Sequence, residues 1–281
     1  RVLLSGGRYE QPGFGTLLEN LAVETRLDGH TVTLASLRAD DGEGGSIRAK
    51  GRFMLDQDWL PVGQLDATLK SARLVNMDGV RAEVSGTLAY TRDRREALLR
   101  GDVRIDRVEA GLNERLPQEI ARLKVREINK PGYADEAVLA PEAPKIAALS
   151  RFDLKVTAPR RLFVRGRGLD SEWGGDLAIS GSAETPEIRG TVELVRGVFS
   201  FAGKDFTLTS GTLRFDGGGK IDPVMNVKAE YVSEDITARL ALTGPLSKPE
   251  LALSSVPTLP QDEILARVLF GTSVQQLSAF E

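Results

Sequence analysis

The chain of 281 residues contains one histidine, His30, and no cysteine. Any triad that needs an imidazole must use His30, which follows Asp28-Gly29, a hairpin-turn pair. The absence of cysteine removes disulfides, thiolate catalysis, zinc ribbons and iron–sulfur clusters together. Acidic residues cluster at Asp40, Asp41 and Glu43, but they fall in a DDGEGG turn where nothing pairs them as acid and base. Two glycine–lysine stretches invite a phosphate-cradle reading and fail it. At Gly203-Lys204, Asp205 occupies the place of the magnesium-binding Ser or Thr, and Val198 occupies the place of the leading glycine. The GGGK stretch, Gly217 to Lys220, leads into Ile221-Asp222-Pro223 rather than into a helix. No GxSxG, HExxH or GxGxxG motif is present.

One charged constellation remains. Arg151, Lys155, Arg160, Arg161, Arg165 and Arg167 stand against Asp153 alone. That run suits an anionic partner such as a lipid headgroup, or the solvated face of a strand pair. It lacks the interleaved aromatics that stack on bases. Lys plus Arg number 37 and Asp plus Glu 40, a net charge of −3, so the chain is not built to coat nucleic acid. These residue types predict no enzyme, no cofactor, no metal and no nucleic-acid partner.

The elements carrying these residues announce themselves by alternation of period two, broken by Gly- and Asp-containing turns. In the N-terminal part Leu21, Val23, Thr25 and Leu27 share a face, then Val32 and Leu34, then Ile47, Ala49, Gly51, Phe53 and Leu55. Leu65, Ala67 and Leu69 follow, then Val80, Ala82, Val84, Gly86, Leu88 and Tyr90. After a gap the pattern resumes with Phe152, Leu154 and Val156, with Leu177 and Ile179, and with Val192 and Leu194. Phe199 and Phe201, Phe206 and Leu208, and Leu213 and Phe215 read as three short strands separated at Gly203 and Gly211. Met225, Val227 and Tyr231 precede Leu240 and Leu242. A strand grammar recurs as VSGTL, IRGTV and TSGTL, and its inner glycine predicts bulges or kinks where a sheet curves.

The organisation predicted is four-part: a β-groove segment over 1–111, a connection over 112–149, a second β-groove domain over 150–256, and a C-terminal helix and tail over 257–281. Pro117, Pro131, Pro141 and Pro144 crowd the connection, where a short helix around Leu116 to Leu123 and a strand through Val125 and Ile128 are expected. The C-terminal part changes period. Thr258 is expected to cap a helix with Pro260 in its first turn, Asp262 and Glu263 at its positive end, and Gly271 closing it. Ile264, Leu265, Val268 and Leu269 form its apolar face, and Phe270, Val274, Leu277 and Phe280 extend it.

An oily sheet face must be buried against helices, against a second sheet, or against itself. Helices are too few to cover the some twenty strands expected. A sandwich is one solution. The other is a long, curved antiparallel sheet folded lengthwise into a hydrophobic groove with a short C-terminal amphipathic helix. A trough not filled by its own side chains suits acyl chains, since each buried methylene contributes ~0.8 kcal/mol without polar desolvation.

The stretch from Leu162 to Phe215, the run DPVMNVKAEYV, and the segment from Leu242 to Gly271 resemble the conserved C-terminal domain of the TamB family. ADDGEGGSIRAKG and VREINKP extend the likeness into residues 17–130. The resemblance implies a β-taco fold of the AsmA-like, bridge-type lipid transfer class. It implies a Gram-negative periplasmic protein attached to the inner membrane by an N-terminal helix absent from this chain, with membranes at both ends of the full protein. It also implies phospholipid acyl chains as cargo and a BamA-type outer-membrane barrel, TamA, as partner. On that reading the groove lining is Phe152, Leu154, Val156, Leu177, Ile179, Val192, Leu194, Phe199, Phe201, Phe206, Leu208, Leu213, Phe215, Met225, Val227, Tyr231, Leu240 and Leu242. The partner-binding residues are Ile264, Leu265, Val268, Leu269 and Phe270. Two function classes follow, a lipid conduit and an assembly factor offering β-edges and an apolar groove to outer-membrane proteins, with a self-filled scaffold as a third.

Overall fold

A computed structural model describes residues 1–55, 61–112, 150–182 and 184–274. The expected helix around Leu116 to Leu123 and the strand through Val125 and Ile128 lie outside them. The elements in chain order are β1 (Val2–Gln11), β2 (Thr16–Asp28), β3 (Thr31–Asp40), β4 (Ser46–Leu55), β5 (Pro61–Met77), β6 (Val80–Arg92) and β7 (Ala97–Gly111). Then come β8 (Ser150–Gly166), β9 (Leu169–Ser182), β10 (Pro186–Phe201), β11 (Lys204–Asp216), β12 (Val224–Val232), β13 (Thr237–Pro245), β14 (Glu250–Val256) and α1 (Gln261–Phe270). All fourteen strands form one sheet in sequence order. The long curved antiparallel sheet that the resemblance implies is therefore present, built from fewer and longer strands than expected.

One pair of expected strands, Phe206–Leu208 and Leu213–Phe215, is a single strand, β11, with a bulge inside it. Leu208 pairs with Ala229, but the next pair is Ser210 with Lys228, so one residue of β11 is extra. The inward set of β11 consequently switches from Phe206 and Leu208 to Gly211, Leu213 and Phe215 within one strand. Gly203 is a turn, as expected; Gly211 is not.

β7 and β8 depart from the antiparallel rule and pair in parallel, Leu99 opposite Phe152 and Val103 opposite Val156. β8 therefore starts at the same end of the sheet as β7.

The sheet is curled. Phe14, in the β1–β2 turn, accepts a backbone hydrogen bond from Asn76 at 2.9 Å, and the Thr16 hydroxyl donates to the Leu74 carbonyl at 2.6 Å. These bonds join β2 to β5 past two intervening strands. Asp41, in the β3–β4 turn, adds a second tie by accepting the Arg73 backbone N–H at 3.0 Å.

α1 folds back onto the sheet over β11–β14. Pro260 stands at its N-cap without a side-chain cap, so Thr258 does not serve there, while Gly271 closes it in the left-handed conformation (φ 71°).

Candidate binding groove

Residues paired across neighbouring strands project to the same side, so the register traces each face. One apolar row runs Val23, Leu37, Ala49, Ala67, Leu88, Gly101, Leu154, Ile179 and Ile188 across β2 to β10. The next runs Ala39, Ile47, Leu69, Gly86, Val103, Val156, Leu177, Gly190 and Phe215 across β3 to β11. Val192, Leu213 and Met225 form a third, and Val227, Leu242 and Leu251 a fourth. Leu208, Ala229, Leu240 and Leu253 complete the set. No charged side chain interrupts these rows.

The glycines of the recurring VSGTL, IRGTV and TSGTL grammar, Gly86, Gly190 and Gly211, all lie in this face. Gly190 has φ 130°, and a side chain on it would run into the Asp176 carbonyl of β9. Only glycine lets the strands approach closely there.

The opposite face is charged and largely self-neutralising. Lys50 faces Asp66, Arg100 faces Asp153, and Asp102 faces Lys155. Arg107 and Arg165 lie over the Phe163 ring at 5.5 and 4.8 Å, and Arg165 also pairs with Asp170 at 3.1 Å. Of the basic run over 151–167, Lys155 and Arg165 thereby meet acidic or aromatic partners on the solvated face.

The candidate lining residues differ in burial. Val192, Phe206, Leu208 and Met225 are buried. Phe152, Leu154, Val156, Leu177, Ile179, Leu194, Phe199, Leu213, Phe215, Val227, Tyr231, Leu240 and Leu242 are half-buried, and Phe201 is 48% exposed. Phe199 stacks on Phe201 with ring centroids 6.2 Å apart, and Phe206 meets Tyr231 at 5.6 Å.

The helix candidates divide. Ile264 (1% exposed) and Val268 sink into a cluster with Phe206, Leu208, Ala229, Ile236 and Ala238. Leu269 is half-buried, whereas Leu265 and Phe270 (65% exposed) face outward. Arg267 bonds Glu263 at 2.6 Å, and the Val274 N–H donates to Glu263 at 3.0 Å. The Val274 N–H and the Arg267 guanidinium hold the Glu263 carboxyl below the usual carboxylate range.

Trp173 escaped the sequence reading. It is buried in the apolar face between Leu162 and Leu194, and its indole N–H donates to Ser171 at 2.9 Å. Ser171 in turn donates to the Val164 carbonyl at 3.1 Å, so no polar atom is orphaned. Gly211 makes room for the ring, since a Cβ there would stand 2.7 Å from it, a fit between β9 and β11 that no local sequence pattern reports.

Among the described residues no three acidic or imidazole groups converge on a metal site, and no helix is long and apolar enough to cross a membrane. A long curled sheet, oily on one face and charged on the other, defines the class of β-groove proteins. Residues 35–281 match the TamB C-terminal domain, and the chain belongs to the TamB family. It is also 27% identical over 130 residues to the translocation and assembly module subunit TamB of Haemophilus influenzae, a match covering 44% of this chain. The same match covers 10% of that relative's length.

Proposed function

We propose that the apolar face binds phospholipid acyl chains and passes them along the sheet between the inner and outer membranes, without chemistry. The observation supporting this reading is the continuity of the apolar rows from β2 to β14, of which the row from Val23 to Ile188 is only half-buried throughout, although Leu69, Trp173 and Val192 beside it are buried. A closed core would bury those rows; a trough leaves them for a guest. Non-directional contacts to chains allow sliding, because no row offers a polar anchor to hold a headgroup. The setting is the periplasm, with attachment to the inner membrane through an N-terminal helix of the full protein. Native mass spectrometry of the protein after incubation with phosphatidylethanolamine vesicles tests it. Adducts of phospholipid mass are expected; a bare chain under conditions that preserve the fold overturns it.

A second reading is assembly of outer-membrane proteins with a TamA-type barrel. It is favoured by the exposure of Leu265 and Phe270 on α1 and of Leu251 on the edge strand β14. Those residues, with Leu269, would form the partner surface, while Ile264 and Val268 would reach a partner only if α1 undocked.

A further inference from the structure

We propose that α1 occupies the last acyl-chain site of the groove and must undock before cargo reaches the final strands. The inference rests on the lipid-conduit reading and adds its regulation.

Three observations carry it. First, the apolar rows do not end where the exposure ends. Leu208, Ala229, Leu240 and Leu253 continue the same face onto β14, but there Ile264 and Val268 cover it. The helix side chains thus stand where a guest chain would lie, packed among Phe206, Leu208, Ile236 and Ala238. Second, among the described residues no backbone hydrogen bond ties α1 to a strand, and its own turns close on Pro260 and Arg267. Undocking breaks side-chain packing and leaves the sheet ladder whole. Third, the helix is apolar on both sides, since Leu265 and Phe270 face outward while Ile264 and Val268 face in. A helix in that state loses little by turning over onto another apolar surface, whether lipid or protein. Acyl chains compete for the vacated site by the same methylene burial that Ile264 and Val268 provide. Each buried methylene weights that equilibrium by roughly fourfold, so few contacts decide it.

The experiment uses the full chain and vesicles of phosphatidylethanolamine with a diazirine in the acyl chain. After illumination, mass spectrometry maps the labelled residues around Leu154, in the open stretch, and around Leu240, beneath α1. In the wild type, labelling is expected at Leu154 and sparse at Leu240. In Ile264→Ser/Val268→Ser, labelling at Leu240 rises about tenfold or more while Leu154 is unchanged. Val268→Ala alone gives a smaller rise in the same direction, so the result does not depend on a variant that unfolds. Leu265→Ser/Phe270→Ser leaves Leu240 shielded. Equal labelling of Leu240 with and without the docked helix overturns the plug, as does its absence in every variant while Leu154 labels. No labelling at Leu154 in any of them fails the conduit reading itself.

Discussion

The sheet from β2 to β10 and its end from β11 to β14 share one grammar and reach different states. Both alternate apolar and polar residues, and both direct glycines of the same motif into the apolar face. In the first stretch Ile47, Leu88, Leu154 and Ile179 remain half-exposed; in the second Phe206, Leu208 and Ala238 are nearly sealed. In the second stretch α1 lies across the apolar face and seals Phe206, Leu208 and Ala238, whereas in the first Leu69, Trp173 and Val192 are buried by the sheet's own side chains and the row from Val23 to Ile188 stays half-buried. Alternation specifies which side of a strand is oily; whether that side becomes a core or a trough depends on what lies across it. Stability and binding capacity should therefore separate between the two stretches.

The largest contrast comes from one substitution placed on either side of a hairpin. Phe206→Asp buries an unpaired carboxylate at a site 2% exposed, and a loss on the order of 5 kcal/mol in chemical denaturation is expected. Phe201→Asp, at 48% exposure, keeps its charge hydrated and should cost under about 1 kcal/mol. It should also diminish phospholipid adducts in native mass spectra. If both variants unfold alike, the supposed trough is a closed core.

A sharper test falls where the two stretches meet, at Trp173. Gly211→Ala sets a methyl 2.7 Å from the indole ring, and overpacking of that kind costs about 1–3 kcal/mol. Pairing it with Trp173→Phe, which withdraws the colliding edge, should recover part of the loss in a double-mutant cycle on thermal melts. Additive losses would mean that the ring does not set the local fit.

The two faces were legible in the sequence because burial on one side imposes a period of two, and Phe152, Leu154 and Val156 or Leu240 and Leu242 display it without interruption. What was not legible has local causes. The bulge at Thr209 and Ser210 reverses parity inside β11, which reads in one dimension as two strands. The parallel pairing of β7 with β8 depends on residues far apart in the chain, so no alternation pattern reports it. On α1, Ile264, Leu265, Val268 and Leu269 read as one stripe, yet the groove accepts only Ile264 and Val268. Which side of the helix packs on Phe206, Leu208 and Ala238 decides that, and it is a tertiary property. Trp173 sits among glycines that looked like turn or bulge signals, when one of them was making room for its ring.

The smallest expected effect concerns what curls the open stretch, where no helix supplies a core. There the curl rests on ties between turns and distant strands, and Asp41 is the most connected of them. Its carboxylate accepts the backbone N–H groups of Glu43, Gly45 and Arg73 at 3.0, 2.8 and 3.0 Å. Burial alone would raise its pKa, but these donors and the Arg73 charge outweigh burial and hold it below the ordinary value of 3.8. A carboxyl depressed in the folded state contributes stability that is complete above its unfolded pKa and is lost as pH falls through the folded one. Asp41→Asn removes the charge and one acceptor, and a loss of about 1 kcal/mol is expected at pH 7. Melts of both proteins from pH 7 to pH 2 separate this tie from the other carboxylates, because their losses are common to both chains. The gap between wild type and variant should stay constant down to about pH 4 and shrink below it. A gap indifferent to pH would mean that the turn is held by geometry alone, and that the curl of the open stretch needs no charged tie.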